Sequence, residues 1–399
     1  MALLLAAYVL TRAAVLLVAR SRALYPYQDD PFEIGVFVRW GAAFTGDGAP
    51  VPLVDGPWEY PAGAVPVVLA PALLPGLPYV AGFVGQMVLW DAAVLAVLVV
   101  VGRHTSTWTG AWLWIAAVPL LGPVALTRFD VVPTALAVGG LAALTAAPAL
   151  AGVLLAAGGL VKLWPGLLVP LVLALVPAPR RLVVGSVATG VVALLAVGLS
   201  GAAPQLFSFL TYQRDRGLEV EAVPALPLML ARALGDERMS TGFAFGSNQV
   251  DGPWAPAMLA VSTAGTAVVV VAVALLTLRA RRAGAEVATS AVALAALLLA
   301  GVLLFDKVLS AQYPLWLAGI VALSLSRPGS PLRPARWPLV GALALTQSVY
   351  PLLIDDLVDT AALTPVLLLA ARAVLLVVLV ALLARACWRL GTVRTAGSR

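Results

Sequence analysis

Apolar runs of about twenty residues recur along almost the whole chain, and they constrain its fold more than any other feature. Hydrophobic residues make up 62% of the 399 residues and charged residues only 11%, whereas a soluble domain carries about 25% charged residues. So little polar surface could not cover a water-soluble core of this size. The sequence therefore predicts a polytopic membrane protein.

The runs predict an all-α fold, a transmembrane helix bundle of about 11 to 13 spans with amphipathic surface helices in the first outer loop. Boundaries read from apolar runs are good to a few residues. The runs occupy residues 2–19, 79–101, 110–127, 131–147, 150–176, 183–200, 257–278, 287–304, 313–326, 338–354 and 361–384.

Two apolar stretches are interrupted by helix breakers. The stretch at 62–77 contains three prolines, which predicts a short or re-entrant helix. The run at 150–176 carries Lys162, Trp164 and Pro165 near its middle. A lysine beside a helix breaker at that depth predicts two half-spans that meet at a membrane face.

Charged residues indicate how the bundle is oriented. Of the 19 Asp and Glu, 17 are expected on one face, with Asp91 and Glu286 as exceptions. Basic residues cluster in other connections, which predicts that these connections are cytoplasmic. These are Arg180, Arg181, Arg279, Arg281, Arg282, Arg327, Arg333, Arg336 and the tail. Because acids have little topogenic weight, their asymmetry favours a function for carboxylates on the outer face.

We expect one transmembrane domain over residues 1–399, with multiple passes through the cell membrane and a candidate site on the extracytoplasmic face. Its polar parts are a first outer loop at 20–60 with a surface helix, a long outer loop at 201–256 and a cytoplasmic tail at 385–399. The N-terminal run has no basic segment ahead of it and no small-residue cleavage site, so it is interpreted as the first span.

The composition argues against several kinds of site. One Cys and one His exclude an intrachain disulfide framework and a histidine-cluster metal site. We therefore expect no cofactor, although carboxylates could still hold a divalent metal. Scattered Arg residues without a basic stripe do not indicate a nucleic-acid partner.

The first outer loop brings Asp29, Asp30 and Glu33 close together. From Pro31 onward apolar residues recur every three to four positions, which predicts an amphipathic helix lying along the membrane surface, with Asp30 near its N-cap. Paired carboxylates there could act as a general base and an orienting group. Alternatively, Asp30 is a helix cap and Glu33 an acid that complements the helix dipole.

Positive charges accompany acids at three other places. Arg214 and Arg216 stand among three acids in the long outer loop, which is typical of either a phosphate clamp or a solvated, salt-bridged loop. The pairs Arg128 with Asp130 and Asp306 with Lys307 lie at span ends. Such charges mark either a substrate path or snorkelling anchors.

Six segments, taken in order, resemble the actinobacterial polytopic glycosyltransferases of family 87, which have the GT-C architecture. The family includes polyprenol-phosphate-mannose-dependent mannosyltransferases of the cell envelope. The resemblance covers most of the chain. The segments are Glu33 to Trp40, Glu59-Tyr60-Pro61, Arg128 to Pro133, Gly158 to Pro165, Arg216 to Pro224 and Asp306 to Trp316.

The resemblance implies an inverting transfer of a hexose, mannose first, from a polyprenyl-phosphate donor to a glycolipid or glycan acceptor in the bilayer. It places the catalytic base, usually Asp in the family, at Glu33, with Asp30 as the alternative. Tyr60-Pro61-Ala62 stands where the family has Tyr-Pro-Pro. The residues expected to bind substrate are Asp29, Arg39, Glu59, Tyr60, Arg128, Asp130, Lys162, Arg214, Arg216, Glu219, Glu221, Asp306, Lys307 and Gln312.

Two other functions remain open at this point. A transporter or lipid flippase would place ionisable residues mid-membrane and often shows inverted repeats, whereas here the acids cluster in loops. A homologue that kept the fold and lost its activity is also compatible with Glu in place of Asp at position 33.

Overall fold

The computed structural model describes residues 1–22, 24, 25 and 33–392. Helices dominate this part of the chain. The α-helices are α1 (Ala2–Ala19), α2 (Gly35–Phe44), α3 (Val65–Ala72), α4 (Tyr79–Thr105), α5 (Thr109–Leu121), α6 (Val124–Thr127), α7 (Val131–Ala143), α8 (Pro148–Val161), α9 (Leu168–Leu175), α10 (Arg180–Leu199), α11 (Ser208–Asp215), α12 (Leu226–Ala233), α13 (Ala255–Arg282), α14 (Val287–Phe305), α15 (Pro314–Leu325), α16 (Arg336–Val349), α17 (Ile354–Val358) and α18 (Leu363–Leu390).

Among the described residues, six helices are long and apolar enough to cross a membrane: α1, α4, α10, α13, α14 and α18. Shorter apolar helices, among them α5, α7, α8 and α15, pack between them. Nearly every predicted run corresponds to a helix with ends shifted by a few residues. The prediction of a polytopic helical bundle is confirmed.

Helix α14 lies at the centre of the bundle. It packs against α13, α15 and α18, and it is apolar on all sides, as expected of a helix enclosed by other helices. Glu286 caps its start by accepting hydrogen bonds from the N–H groups of Ala288 and Thr289. Its other end delivers Asp306 to a cavity described below.

The two ends of α14 carry opposite chemistry. At the Glu286 end, Arg327 approaches the Glu286 carboxylate to 4.0 Å. At the other end lie the acids of the long loop and Asp306. With a rise of 1.5 Å per residue, this helix separates the two ends by about 28 Å. Arg327 and Glu286 thus lie at one end of this helix, and Asp306 with the acids of the long loop lies at the other.

The interrupted runs form broken helices, as predicted. Helix α3 has only eight residues, too few to span a bilayer. Residues 162–167 separate α8 from α9. The end of α8 folds closely onto this turn, since a Cβ on Gly159 would lie 2.7 Å from the Gly166 Cα.

The long outer loop contains a small antiparallel sheet that the sequence analysis did not predict. Its strands are β1 (Leu218–Glu219), β2 (Ser240–Ala244) and β3 (Ser247–Asp251), in the order β1-β3-β2. Phe245 and Gly246 join β2 to β3 with positive φ angles of 51° and 70°, the geometry of a type I′ hairpin turn. The fold is thus helical with one small sheet.

The first outer loop departs from the predicted helix. Asp29, Asp30 and Pro31 lie outside the described residues, and Glu33 stands in a turn before α2 begins at Gly35. Phe37 is 1% exposed and stacks on Phe83, so this apolar side packs on protein instead of lipid. The interpretation of Glu33 as an acid of the first helical turn that complements the helix dipole is wrong, because the helix begins two residues later, at Gly35.

Candidate active site

A cavity of about 440 Å³ opens where the polar connections at one end of the bundle meet. Its wall combines the first outer loop, the long outer loop, the α8–α9 turn and the connection between α14 and α15. The site residues expected from the sequence that line it are Glu33, Glu59, Tyr60, Arg128, Lys162, Arg216, Glu219, Glu221, Asp306, Lys307 and Gln312.

Glu33 is a hydrogen-bond acceptor shared by three separate parts of the chain. Its Oε1 accepts from the hydroxyls of Tyr25 at 2.7 Å and Thr127 at 2.6 Å. Its Oε2 accepts from Arg128 Nη2 at 2.7 Å and from the Tyr350 hydroxyl at 2.8 Å. With 1% of its surface exposed, this carboxylate is held rigidly at the cavity wall.

Arg128 lies between Glu33 and the cavity. It follows directly after the short helix α6, where the backbone becomes extended. Its Nη2 is bound to Glu33, but its buried Nε has no acceptor in the described part of the protein. Because its guanidinium lines the cavity, Arg128 can bind an anion there.

Lys162 occupies the break between α8 and α9. Its Nζ donates to Asp130 Oδ1 at 2.7 Å, and the Trp316 indole donates to the same oxygen at 2.7 Å. The ammonium also lies 4.8 Å from the Tyr313 ring centroid and 5.2 Å from that of Trp316. Asp130 and the rings therefore hold this positive charge at the cavity wall.

Two more cations lie where the long loop meets the residues that follow α14. Arg216 is 9% exposed, and its Nη2 donates to Ser247 Oγ at 3.0 Å. Its buried Nε also has no acceptor within the described residues. Lys307 Nζ donates to the backbone carbonyls of Arg214 at 2.8 Å and Arg216 at 2.6 Å, which fixes one loop to the other.

Acidic side chains form another part of the wall. Burial raises the pKa of Glu219, whose carboxylate accepts a hydrogen bond from Ser310 at 3.1 Å. Burial likewise raises the pKa of Asp306 from 3.8 to about 6. Glu221 accepts from Arg372 of α18 at 2.9 Å, and this buried ion pair anchors the long loop to the bundle.

Several expected site residues lie elsewhere. Arg214 has a side chain that is 74% exposed and pairs with Asp215 at 2.8 Å. Arg39 is exposed on α2. Asp130 does not line the cavity but holds Lys162. Asp29 and Asp30 lie outside the described residues.

Sequence reasoning missed some of the most connected residues. Tyr350 and Thr127 bind Glu33, but isolated polar residues at helix ends gave no signal. Arg372 did give one, since a single charge inside an apolar run points to a buried partner. Arg12 is the same case, because it pairs with Asp91 at 2.8 Å between α1 and α4.

The arrangement combines two chemical capabilities. Arg128, Lys162 and Arg216 can neutralise an anionic leaving group. Carboxylates can accept protons or hydrogen bonds from hydroxyl groups. Among the described residues no cluster of three His, Cys, Asp or Glu side chains is placed to hold a metal ion.

Comparison with known proteins relates this cavity to an enzyme family. The model of glycosyltransferase family 87 matches residues 58–305, a stretch that includes Glu59, Arg128, Lys162 and Arg216. Neither the curated proteins nor the solved structures gave a match. Since the matched stretch is more than half of the 399 residues, the chain belongs to glycosyltransferase family 87 and is a membrane glycosyltransferase.

Proposed function

We propose that this glycosyltransferase moves a hexose, mannose as the first candidate, from a polyprenyl-phosphate donor to a glycolipid or glycan acceptor. The reaction takes place at the cavity, on the extracytoplasmic face of the cell membrane, and inverts the anomeric carbon. The observation that carries this proposal is the set of cations on the cavity wall.

Those cations fit a phosphate better than a neutral ligand. Arg128 and Arg216 both line the cavity. Lys162 adds a third positive charge. Because Arg binds phosphate oxygens through several N–H groups, these residues suit the phosphate that leaves with the polyprenyl chain.

An apolar edge of the cavity fits the lipid part of such a donor. Leu163 and Leu167, in and beside the α8–α9 turn, line the cavity while being 48% and 43% exposed. They give the polar interior an apolar, exposed edge. A polyprenyl chain could therefore remain in the bilayer while its phosphate enters the cavity.

The chemical step needs only a base and a stabilised leaving group. A carboxylate removes the proton of the acceptor hydroxyl, whose oxygen forms a bond to the anomeric carbon as the bond from that carbon to the phosphate oxygen breaks. Polyprenyl phosphate leaves with the bonding electron pair, and the cations stabilise its charge. Family resemblance nominates Glu33 or Asp30 as the base, and the position of Glu33 at the cavity wall supports a role at the reaction centre.

The donor class is tested with purified protein in lipid vesicles. Polyprenyl-phosphate mannose plus a glycolipid acceptor should release polyprenyl phosphate, and nucleotide-linked mannose should give no product. Arg128→Gln should slow release by about a hundredfold. Transfer from the nucleotide-linked sugar, or release that needs no acceptor, would overturn the proposed donor or the transfer step.

The face of the membrane is tested by thiol labelling. The native chain has a single cysteine, Cys387, and it is buried. Asp47→Cys, in the exposed first loop, then provides one reactive position. We expect a membrane-impermeant maleimide to label Asp47→Cys in intact cells; labelling only after the cells are broken would place the cavity on the cytoplasmic face.

A further inference from the structure

The connection between α14 and α15, residues 306–313, forms a fixed wall of the cavity. The Asp306 N–H donates to the Val302 carbonyl at 2.7 Å, and the Glu219 N–H donates to the Lys307 carbonyl at 2.9 Å. Lys307 in turn binds two carbonyls of the long loop. Polar side chains on this wall are therefore presented from a rigid backbone.

Asp306 has spare hydrogen-bonding capacity on that wall. In the described part of the protein its carboxylate accepts one hydrogen bond, from the Val308 N–H at 3.3 Å, and it has no ion-pair partner within 4.0 Å. A carboxylate can accept about four hydrogen bonds. The Asp306 carboxylate is partly buried and accepts few hydrogen bonds, so it favours a ligand that brings hydrogen-bond donors.

Gln312 also has unused hydrogen-bonding groups, and these include donors, which the Asp306 carboxylate lacks. It is 8% exposed and lines the cavity, and its carboxamide makes no hydrogen bond within the described residues. A carboxamide both donates and accepts. Together, the two side chains offer acceptors and donors to a neutral group that carries hydroxyls.

Phosphate is a poor match for this wall, because the Asp306 carboxylate repels an anion. The cations Arg128, Lys162 and Arg216 provide the matching place for phosphate. The cavity therefore offers two kinds of chemistry, one for an anion and one for hydroxyl groups.

We propose that Asp306 and Gln312 form a subsite that recognises sugar hydroxyls and so determines which sugar the enzyme accepts. The proposal rests on the proposed function in assuming that a sugar enters this cavity. The hydroxyls could belong to the transferred hexose or to the acceptor glycan. Both sources present the same chemistry, and the kinetic experiment below separates them.

Binding tests the subsite without requiring transfer. The full chain in nanodiscs is titrated with methyl α-mannoside, and binding is followed by tryptophan fluorescence, since Trp164 and Trp316 line the cavity. We expect saturable binding that Asp306→Asn and Gln312→Leu each weaken about tenfold or more. Asp356→Asn is the matched control, because Asp356 is exposed and does not line the cavity.

A second readout separates recognition from misfolding. Polyprenyl phosphate should bind Asp306→Asn at least as tightly as the native protein, because its phosphate uses the cations and the variant has lost a negative charge that repels it. If the native protein does not bind the mannoside, or if Asp306→Asn weakens it no more than Asp356→Asn does, the proposal is wrong. If the protein shows no transfer activity but binds the mannoside in a way that depends on Asp306, the proposed subsite stands and the proposed function is wrong.

Kinetics then identify the source of the hydroxyls. With the native enzyme, removing the recognised hydroxyl should lower kcat/KM on the order of tenfold to a hundredfold. With Asp306→Asn the deoxy and parent substrates should react at similar rates. If the variant gives equal rates for the deoxy and the parent donor, the subsite recognises the transferred hexose. If it gives equal rates for the deoxy and the parent acceptor, the subsite recognises the acceptor. If the rates remain different in both series, recognition by Asp306 is contradicted.

Discussion

Arg128 and Glu33 form a 2.7 Å ion pair at the cavity wall, and Glu33 simultaneously accepts hydrogen bonds from Tyr25, Thr127 and Tyr350. The pair joins the first outer loop to the ends of α6 and α16. One carboxylate thus positions the cation nearest to it and closes this side of the cavity. Glu33 consequently has a structural role whether or not it also serves as the base.

Replacing Glu33 by Gln should destabilise the protein. The neutral amide would leave the Arg128 guanidinium without its carboxylate partner. We expect a loss on the order of 3 kcal/mol and a lower Tm in detergent. Asp30→Asn provides the comparison: if Asp30 is the base, that variant loses transfer at an unchanged Tm. A native Tm for Glu33→Gln would contradict the structural role.

Two arginines of the long loop should differ sharply in importance. Arg216 lines the cavity, whereas the Arg214 side chain is 74% exposed beside Asp215. Arg216→Gln should lower kcat by about a hundredfold, and Arg214→Gln should change it by less than about threefold. Steady-state release of polyprenyl phosphate measures both; equal effects would mean that the cavity wall is assigned wrongly.

The buried pair of Arg12 and Asp91 should matter for stability and not for transfer. Arg12 donates to both carboxylate oxygens at 2.8 Å, and the side chains are 4% and 0% exposed. Arg12→Met leaves a buried carboxylate without its partner and should cost about 3 to 5 kcal/mol. The double variant Arg12→Met with Asp91→Leu should recover most of that loss. Thermal unfolding checks the recovery, and a double variant as unstable as the single one would contradict the account.

The pH dependence of transfer should reflect Asp306. Burial raises the pKa of its carboxyl group from 3.8 to about 6, so the folded protein holds this proton more tightly than the unfolded chain. The resulting stabilisation is complete below pH 3.8 and is lost as the pH rises through about 6. Transfer should do the opposite and decline as the pH falls through about 6, because protonation removes a charged acceptor for hydroxyls.

Asp306→Asn supplies the control for that profile. The variant has no titrating group at this position, so its transfer activity, although weaker, should no longer decline as the pH falls through about 6. Its free energy of unfolding at neutral pH should equal or exceed that of the native protein, because a poorly satisfied carboxylate has been removed. A decline that persists unchanged in the variant would assign the titration to another group.

The sequence predicted the helices well because their signal is local. Apolar runs, and the breakers Pro165 and Gly166 after Lys162, determine where helices can begin and end without reference to the rest of the chain. The sheet in the long loop was missed because its turn uses Phe245 in a left-handed conformation with φ of 51°, and Phe-Gly is not a strong turn signal.

The site was predictable in its residue types but not in its partnerships. Arg214 and Arg216 are alike in sequence, but only Arg216 lines the cavity. This difference arises because α11 ends at Asp215 and the backbone becomes extended at Arg216. Tyr350 reaches Glu33 across 317 positions of sequence, which no local pattern reveals. Arg12 and Arg372 could have been recognised, since each is a single charge in an apolar run.

The most direct test of the account is an experimental structure of the protein with a non-transferable polyprenyl-phosphate sugar bound in nanodiscs. We predict that the phosphate lies among Arg128, Lys162 and Arg216, with the polyprenyl chain leaving past Leu163 and the sugar inside the cavity. Phosphate density elsewhere on the protein, with this cavity empty at saturating donor, would contradict the central claim.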